Sequence, residues 1–160
     1  MSERSEFGVT IPFVEQLGIR LVELSRERAI VSLKRRPELL NSWGAAHGGV
    51  IMTMLDLVMS MAVRGHYNVS AGVLTVDMSV AFLNASKDDV FAEGRVLHAG
   101  RSTAFCEAEA RDAEGRILAK AIGTFKLLAD KKNNQNDQTN QNNQNNQTTQ
   151  NDQTNQNNQT

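Results

Sequence analysis

The chain has 160 residues, with 17 Lys or Arg and 18 Asp or Glu, and its net charge is −1 with His neutral. Because no broad basic field is present, we do not expect a nucleic-acid partner. The N-terminal stretch has no apolar run, which argues against a secretory signal or membrane anchor. Cys106 is the single cysteine, so an intrachain disulfide is excluded and a cytoplasmic location is expected.

Composition divides the chain near residue 132. All apolar residues lie in residues 1–132, at the proportion of an ordinary globular domain. Residues 133–160 contain only Asn, Gln, Thr and Asp, and the segment NDQTNQNNQ occurs twice in them. Such a tract has nothing to bury, so we predict one domain over residues 1–132 and a disordered low-complexity tail over 133–160 without a role in the chemistry.

The first predicted elements are short. Residues 12–17 are predicted to be a helix, because Pro12 suits a first helical turn and Gly18 suits a helix end. Residues 19–24 and 29–35 are predicted strands joined by a polar turn, and Pro37 then breaks the pattern.

A long apolar segment follows, NSWGAAHGGVIMTMLDLVMSMAV over residues 41–63. Residues 50–63 are apolar on every side except at Thr53, Asp56 and Ser60. A helix without a polar face must be covered by other elements, and fourteen residues are too few to cross a bilayer. We therefore predict a buried central helix that ends near Gly65.

The remaining elements are predicted to be strands. Leu74, Val76, Met78, Val80 and Phe82 alternate with polar or small residues, which places Thr75 on the opposite face. Further strands are predicted over residues 90–98, 103–111 and 117–128. Six strands and one buried helix indicate an α+β fold in which an antiparallel sheet curls around the helix.

Gly48 and Asp56 carry the candidate chemistry. Gly48 falls at the helix start, where backbone N–H groups lack partners and no Cβ obstructs a ligand. A buried carboxylate such as Asp56 needs partners or a function. Asp56 follows Gly48 by eight residues, or roughly 12 Å along a helix axis. Both cannot touch one reacting group, so joint action requires Gly48 of one copy to face Asp56 of another.

The pattern of Asn41, His47-Gly48-Gly49 and Asp56 resembles the signature of hotdog-fold acyl-CoA thioesterases of the phenylacetate-degradation (PaaI-like) type. In that family an Asn lies six residues before the His and an acid nine after it, and both spacings hold here. The resemblance continues through TVDMSVAFLNAS, VLHAGRS and AKAIGTFKL. It implies a hotdog fold that hydrolyses acyl- or aryl-acyl-CoA thioesters to free acid and CoA.

The resemblance also implies roles for individual residues. Asp56 would attack the thioester carbonyl or activate water, the Gly48 N–H would polarise the thioester oxygen, and Thr75 would position the water. Without the resemblance, Asp56 can be a structural carboxylate, Gly48 a turn glycine and Thr75 an ordinary sheet residue. Asn41 would line the site or cap a turn, and His47 would contact substrate or cap the helix.

Arg101 and Ser102 are implied to lie near the coenzyme A phosphates, with Lys87 and Arg64 as weaker candidates. The resemblance further implies a homodimer with shared sites, doubled to a homotetramer. Coenzyme A would enter as part of the substrate. The sequence has neither a Cys/His cluster nor a glycine-rich phosphate loop, so no metal and no cofactor are expected.

Two other functions stay open at this point. A hotdog hydratase or dehydratase needs a His and an acid acting together, and His47 and Asp56 are about 13 Å apart along one helix. An acyl-CoA binding module without turnover generally lacks the acid and carries a DNA-binding extension. The preferred acyl group, and the choice between covalent and general-base mechanisms, are not readable from the sequence.

Overall fold

The computed structural model describes residues 6–69 and 72–128, so the predicted tail and the boundary at residue 132 lie outside the described residues. The chain begins with helix α1 (Pro12–Leu17), as predicted, and Gly18 ends it in the left-handed conformation at φ 73°. Strands β1 (Arg20–Leu24) and β2 (Ala29–Leu33) follow. Pro37 then opens a 3-10 helix, Pro37–Leu39, in place of a simple break.

Helix α2 (Gly48–Tyr67) has 20 residues and begins at the predicted glycine. It runs beyond Gly65 and ends where Asn68 adopts a left-handed conformation at φ 52°. The sequence argument from a fourteen-residue length was therefore wrong, because this helix is long and apolar enough to cross a bilayer. Its packing identifies it as a core helix instead, since it contacts all six strands of the sheet.

The other strands are β3 (Val73–Phe82), β4 (Val90–Ala99), β5 (Thr103–Asp112) and β6 (Ile117–Leu127). Within the described residues the six strands form one sheet in the order β1-β2-β4-β5-β6-β3, and every pairing is antiparallel. The predicted α+β architecture, a sheet of about six strands around one long helix, is confirmed. Strand β3 is an edge strand.

Small residues let the helix approach the sheet closely. A Cβ on Gly94 of β4 would lie 2.8 Å from the carbonyl oxygen of Val58 in α2. Alanine occupies many of the buried positions in β5 and β6, namely Ala104, Ala108, Ala110, Ala119 and Ala121. The larger core side chains come mostly from α2, where Met54, Leu55 and Met59 are fully buried.

Strand β3 does not alternate as the sequence predicts. A β-bulge lies between Thr75 and Asp77, because Thr75 is opposite Phe125 of β6 while Asp77 is opposite the next residue, Thr124. Val76 is the extra residue, and it is 60% exposed. The bulge places Thr75 on the same, helix-facing side as Met78, so the prediction that Thr75 and Met78 lie on opposite faces of the strand was wrong.

Candidate active site

One face of α2 is open. Asp56 is only half-buried, and Met52 on the same face is 41% exposed. Thr53 and Ser60 also lie there, with their hydroxyls donating to the carbonyls of Gly49 and Leu57 in the helix. The expectation of burial on every side, with Asp56 as a buried charge, was wrong, because the sheet covers the helix from one side only.

The bulge in β3 brings Thr75 to Asp56. The Thr75 hydroxyl donates a hydrogen bond of 2.7 Å to Oδ1 of Asp56. A hydrogen bond to a charged acceptor is among the stronger ones and holds the carboxylate in one orientation. The second carboxylate oxygen, Oδ2, accepts no hydrogen bond from any described residue. The carboxylate is therefore both oriented and available to a ligand or water.

Asp56 and Thr75 line a groove of about 570 Å³ between α1, α2 and β3. Most of the other lining residues are apolar: Ile11, Phe13, Val14, Met52, Leu57, Val73 and Met78. An apolar groove with a few converging polar groups is the usual form of a small-molecule site. The groove suits a hydrocarbon or aromatic group placed beside a carboxylate.

The start of α2 offers a second polar feature. His47 is the N-cap residue, and its Nδ1 accepts a hydrogen bond of 3.0 Å from the Gly49 N–H. The N–H groups of Val50 and Ile51 donate to the carbonyl of His47. The Gly48 N–H has no acceptor among the described residues, and it lies at the positive end of the helix dipole. Gly48 can therefore donate to an oxygen of a ligand.

Gly48 and Asp56 belong to the same helix, Gly48–Tyr67. Their separation along its axis is therefore roughly 12 Å, as the sequence indicated. The groups that donate to an oxyanion and the group that attacks the carbonyl must both lie within about 3 Å of the reacting group. A single chain therefore offers the two halves of such a site at two different places.

The Asn41 side chain braces the turn that follows it in the chain. Its Oδ1 accepts hydrogen bonds from the N–H groups of Trp43 and Ala45, at 3.0 and 3.1 Å. Of the two roles left open by the sequence, the turn-bracing one is observed. His47 likewise shows the capping role, which leaves Nε2 to carry the proton of the neutral ring and to donate outward. A substrate contact of either residue stays a prediction.

Arg101 and Ser102 lie in the exposed turn between β4 and β5. The Tyr67 hydroxyl donates to the carbonyl of Gly100, which places this turn beside the C-terminal end of α2. Burial raises the pKa of Tyr67. The structure does not bring Arg101 or Ser102 to Asp56 or Gly48 within one chain, and their contact with coenzyme A stays a prediction.

Cys106 is not available for catalysis. It is fully buried in β5, and this burial raises the pKa of its thiol to about 12. A thiolate is the reactive form, so this cysteine is a core residue, as the sequence indicated. In residues 6–69 and 72–128, no three His, Cys, Asp or Glu side chains are grouped so that they could hold a metal ion.

Sequence reasoning missed Phe82 and Ser60. A Cβ on Gly48 would lie 3.5 Å from the ring of Phe82, so this half-exposed ring rests against the helix start. Ser60 extends the open face of α2 beyond Asp56. The spacing of Thr53, Asp56 and Ser60 was the available signal, because residues at i, i+3 and i+7 share one face of a helix.

Two comparisons with curated proteins bear on this arrangement. The protein named "Putative esterase SSO2140" from Saccharolobus solfataricus is 31% identical over 116 residues, which are 72% of this chain and 82% of that protein. Acyl-coenzyme A thioesterase 13 from Homo sapiens is 29% identical over 116 residues, covering 70% of this chain and 82% of the relative.

Solved structures agree on the fold. The conserved protein PA5202 from Pseudomonas aeruginosa has a TM-score of 0.71 at 31% identity, covering 74% of this chain and 95% of that one. The E. coli PaaI protein from the phenylacetic acid degradation operon has a TM-score of 0.69, covering 75% and 86%, and at 18% identity it supports the fold alone. Residues 44–119, which contain Gly48, Asp56 and Thr75, match the Thioesterase superfamily. The chain therefore belongs to the thioesterase superfamily and has its hotdog fold, and it is a hydrolase with thioesterase activity.

Proposed function

We propose that the protein is an acyl-CoA thioesterase, which hydrolyses acyl- or aryl-acyl-CoA to the free acid and CoA. The observation that carries the proposal is the Asp56 carboxylate, held by the Thr75 hydroxyl at 2.7 Å and facing an apolar groove. The printed name of the human relative, an acyl-coenzyme A thioesterase, supports the coenzyme A part of the substrate. Phenylacetyl and medium-chain acyl groups are both candidates for the acyl part.

In the proposed mechanism, Asp56 attacks the thioester carbonyl or removes a proton from the water that attacks it. Thr75 orients the carboxylate or the water. The carbonyl oxygen becomes negative as the tetrahedral intermediate forms, and the Gly48 N–H at the positive end of a helix stabilises it. The thiolate of CoA then leaves, and it needs little protonation because the pKa of a thiol is about 8.5. Where Asp56 is the nucleophile, its attack leaves the acyl group on Asp56 as an anhydride, which water cleaves to the free acid and the regenerated carboxylate.

We further propose a homodimer in which Gly48 of one copy faces Asp56 of the other, and which doubles to a homotetramer. Strand β3 supports this proposal, because it is an edge strand of ten residues. Its apolar residues Leu74 and Val76 are 54% and 60% exposed. Long apolar edge strands invite pairing with another chain. Antiparallel pairing of two β3 strands about a two-fold axis sets the two α2 helices antiparallel, so each helix start approaches the middle of the other helix.

The remaining predicted contacts belong to this proposal. Nε2 of His47 and the amide of Asn41 are available to substrate, since their other polar atoms are used in the 41–49 segment. Arg101 and Ser102 are proposed to bind coenzyme A phosphates, where an exposed guanidinium is well suited. No metal and no cofactor is required, and a cytoplasmic location is proposed.

Two alternatives are weaker on this geometry. A hydratase needs an acid and a His acting on one β-hydroxyacyl group. Here His47 and Asp56, about 13 Å apart along one helix, could meet only across a dimer, and Nδ1 of His47 is already engaged by the Gly49 N–H. A binding module without turnover does not need an oriented carboxylate in its acyl groove. Hydration of crotonyl-CoA and binding without hydrolysis are the respective signatures of these alternatives.

The test is release of free CoA thiol from a panel of acetyl-, hexanoyl-, octanoyl- and phenylacetyl-CoA. The native protein is compared with Asp56→Asn and with the control Asp88→Asn, whose side chain makes no ion pair or hydrogen bond among the described residues. We expect turnover that Asp56→Asn abolishes and Asp88→Asn preserves. Tight binding without turnover would instead favour the binding module. Single turnover in heavy-oxygen water separates a covalent anhydride, which puts label into the protein, from general-base attack.

A further inference from the structure

The acyl groove does not end at Asp56. A second recess of about 220 Å³ shares Ile11, Ser60 and Val73 with the groove. Its other lining residues are Val9, Met61, Arg64 and Gly72. The two spaces therefore follow one another along α2 and β3. A cationic side chain, Arg64, lies at the far end.

Arg64 has no anionic partner in the part of the chain that the structure describes. The Nη1 atom of Arg64 donates to the carbonyl of Phe7 at 3.0 Å and contacts the Met61 sulfur at 3.8 Å. The buried Nε atom of Arg64 has no hydrogen-bond partner among the described residues. Arg20, Arg28, Arg36, Arg95, Arg111 and Arg116 form ion pairs with Asp or Glu side chains, but no ion pair among the described residues involves Arg64. A guanidinium stays charged at any ordinary pH, and a partly buried charge is stabilised by an opposite one.

The spacing fits a chain of defined length. Asp56, Ser60 and Arg64 are four residues apart in succession, so they share one face of α2. Asp56 and Arg64 are roughly 12 Å apart along the axis. Contacts of about 3 Å at each end leave about 6 Å if they lie along the axis, which is room for about five bonds at about 1.2 Å per bond, and contacts inclined to the axis leave room for about seven.

We propose that Arg64 binds a carboxylate at the far end of the acyl group, so that the preferred substrates are CoA thioesters of dicarboxylic acids with about six to eight carbons. This inference rests on the proposed thioesterase function and names its substrate class. A coenzyme A phosphate would offer the same anionic chemistry to Arg64. The acyl carboxylate is favoured because Arg64 lines a mostly apolar recess that continues the acyl groove.

The experiment compares kcat/KM for suberoyl-CoA and octanoyl-CoA, which have equal chain length and differ in the terminal carboxylate. Native protein, Arg64→Gln and Arg64→Met are tested, with Arg26→Gln as control because the exposed Arg26 forms no ion pair in the described chain. Gln removes the charge and keeps an amide donor on a shorter side chain, whereas Met has a similar length to Gln without the donor, so both variants lack the cation that the inference requires. We expect native protein to favour suberoyl-CoA at least tenfold, and Arg64→Gln to lose this preference while octanoyl-CoA hydrolysis stays within about threefold.

If folded Arg64→Gln loses kcat/KM equally for suberoyl-CoA and octanoyl-CoA, the inference is overturned. Arg64 would then bind a coenzyme A phosphate or have a structural role. A native preference for octanoyl-CoA would also overturn the inference. If native protein hydrolyses neither of these thioesters nor acetyl-, hexanoyl- or phenylacetyl-CoA, the proposed function fails separately. The recess is then judged by calorimetry with free suberate and octanoate. Suberate binding that is lost in Arg64→Gln supports the carboxylate site, and absence of suberate binding to native protein rejects it.

Discussion

Replacement of Gly48 by proline removes one N–H group from the helix start and little else. Gly48 is the first residue of α2, the position at which proline is best tolerated in a helix. The preceding residue, His47, has φ −65° and ψ 137°, which is the conformation that a residue before proline prefers. The nearest atom to an added Cβ is the Phe82 ring at 3.5 Å, an ordinary contact. We therefore expect Gly48→Pro to fold with a stability within about 1 kcal/mol of native.

The activity should fall far more than the stability. Loss of one oxyanion donor typically costs a factor of about 10² to 10³ in kcat, or about 2.7–4 kcal/mol. The matched control is Gly48→Ala, which meets the same Phe82 ring at 3.5 Å but keeps the N–H. We expect Gly48→Ala to lose less than about tenfold in kcat.

The assay is release of CoA thiol at saturating substrate, with melting temperature as the check on folding. The reasoning is refuted if folded Gly48→Pro keeps native kcat. It is also refuted if alanine and proline cause equal losses, because the added carbon and not the missing N–H would then be responsible.

Three further predictions concern positioning and stability. Gly94→Ala should lower the free energy of unfolding in urea by about 1–3 kcal/mol, because the Cβ would lie 2.8 Å from the Val58 carbonyl oxygen; unchanged stability would contradict this contact. Thr75→Val should lower kcat about tenfold while Thr75→Ser, which keeps the hydroxyl, stays near native; equal values for Ser and Val would show that the hydrogen bond has no role. Burial opposes ionisation of Asp112, but hydrogen bonds from the N–H and guanidinium of Arg116 outweigh it and hold the pKa of Asp112 below its usual value. Since that pKa is lower in the folded state, its stabilisation is present above about pH 4 and is lost as pH falls through the folded pKa, so Asp112→Asn should reduce the drop in melting temperature between about pH 7 and pH 3.

The sequence predicted helix ends well where a single residue near the end favours the required backbone conformation. Pro12 and Gly18 bounded α1 because each favours a backbone conformation that a helix start or end requires. The sequence also placed Gly48 at the start of the long helix, and α2 begins there. Strand alternation failed in β3, because the bulge at Val76 arises from pairing with β6, a strand about 45 residues later in the chain.

The sequence predicted which residues form the candidate site better than it predicted their exposure and contacts. Spacing placed Gly48 and Asp56 on one helix, and the structure keeps them there. The exposure of Asp56 was not foreseen, because average hydrophobicity of the helix concealed a polar stripe on one face. The contact of Thr75 with Asp56 depends on the β3 bulge, and the loop-bracing use of Asn41 depends on backbone positions that composition does not reveal.

The central claim is that each site combines Gly48 of one copy with Asp56 of another, and mixing two inactive variants tests it directly. Gly48→Pro and Asp56→Asn chains are co-refolded, and thiol release is measured against each variant alone. In a mixed dimer with shared sites, one site has both native residues and the other has neither, so random pairing should restore roughly a quarter of native activity. If both residues act within one chain, every site stays damaged, and activity no higher than that of the separate variants would contradict the account.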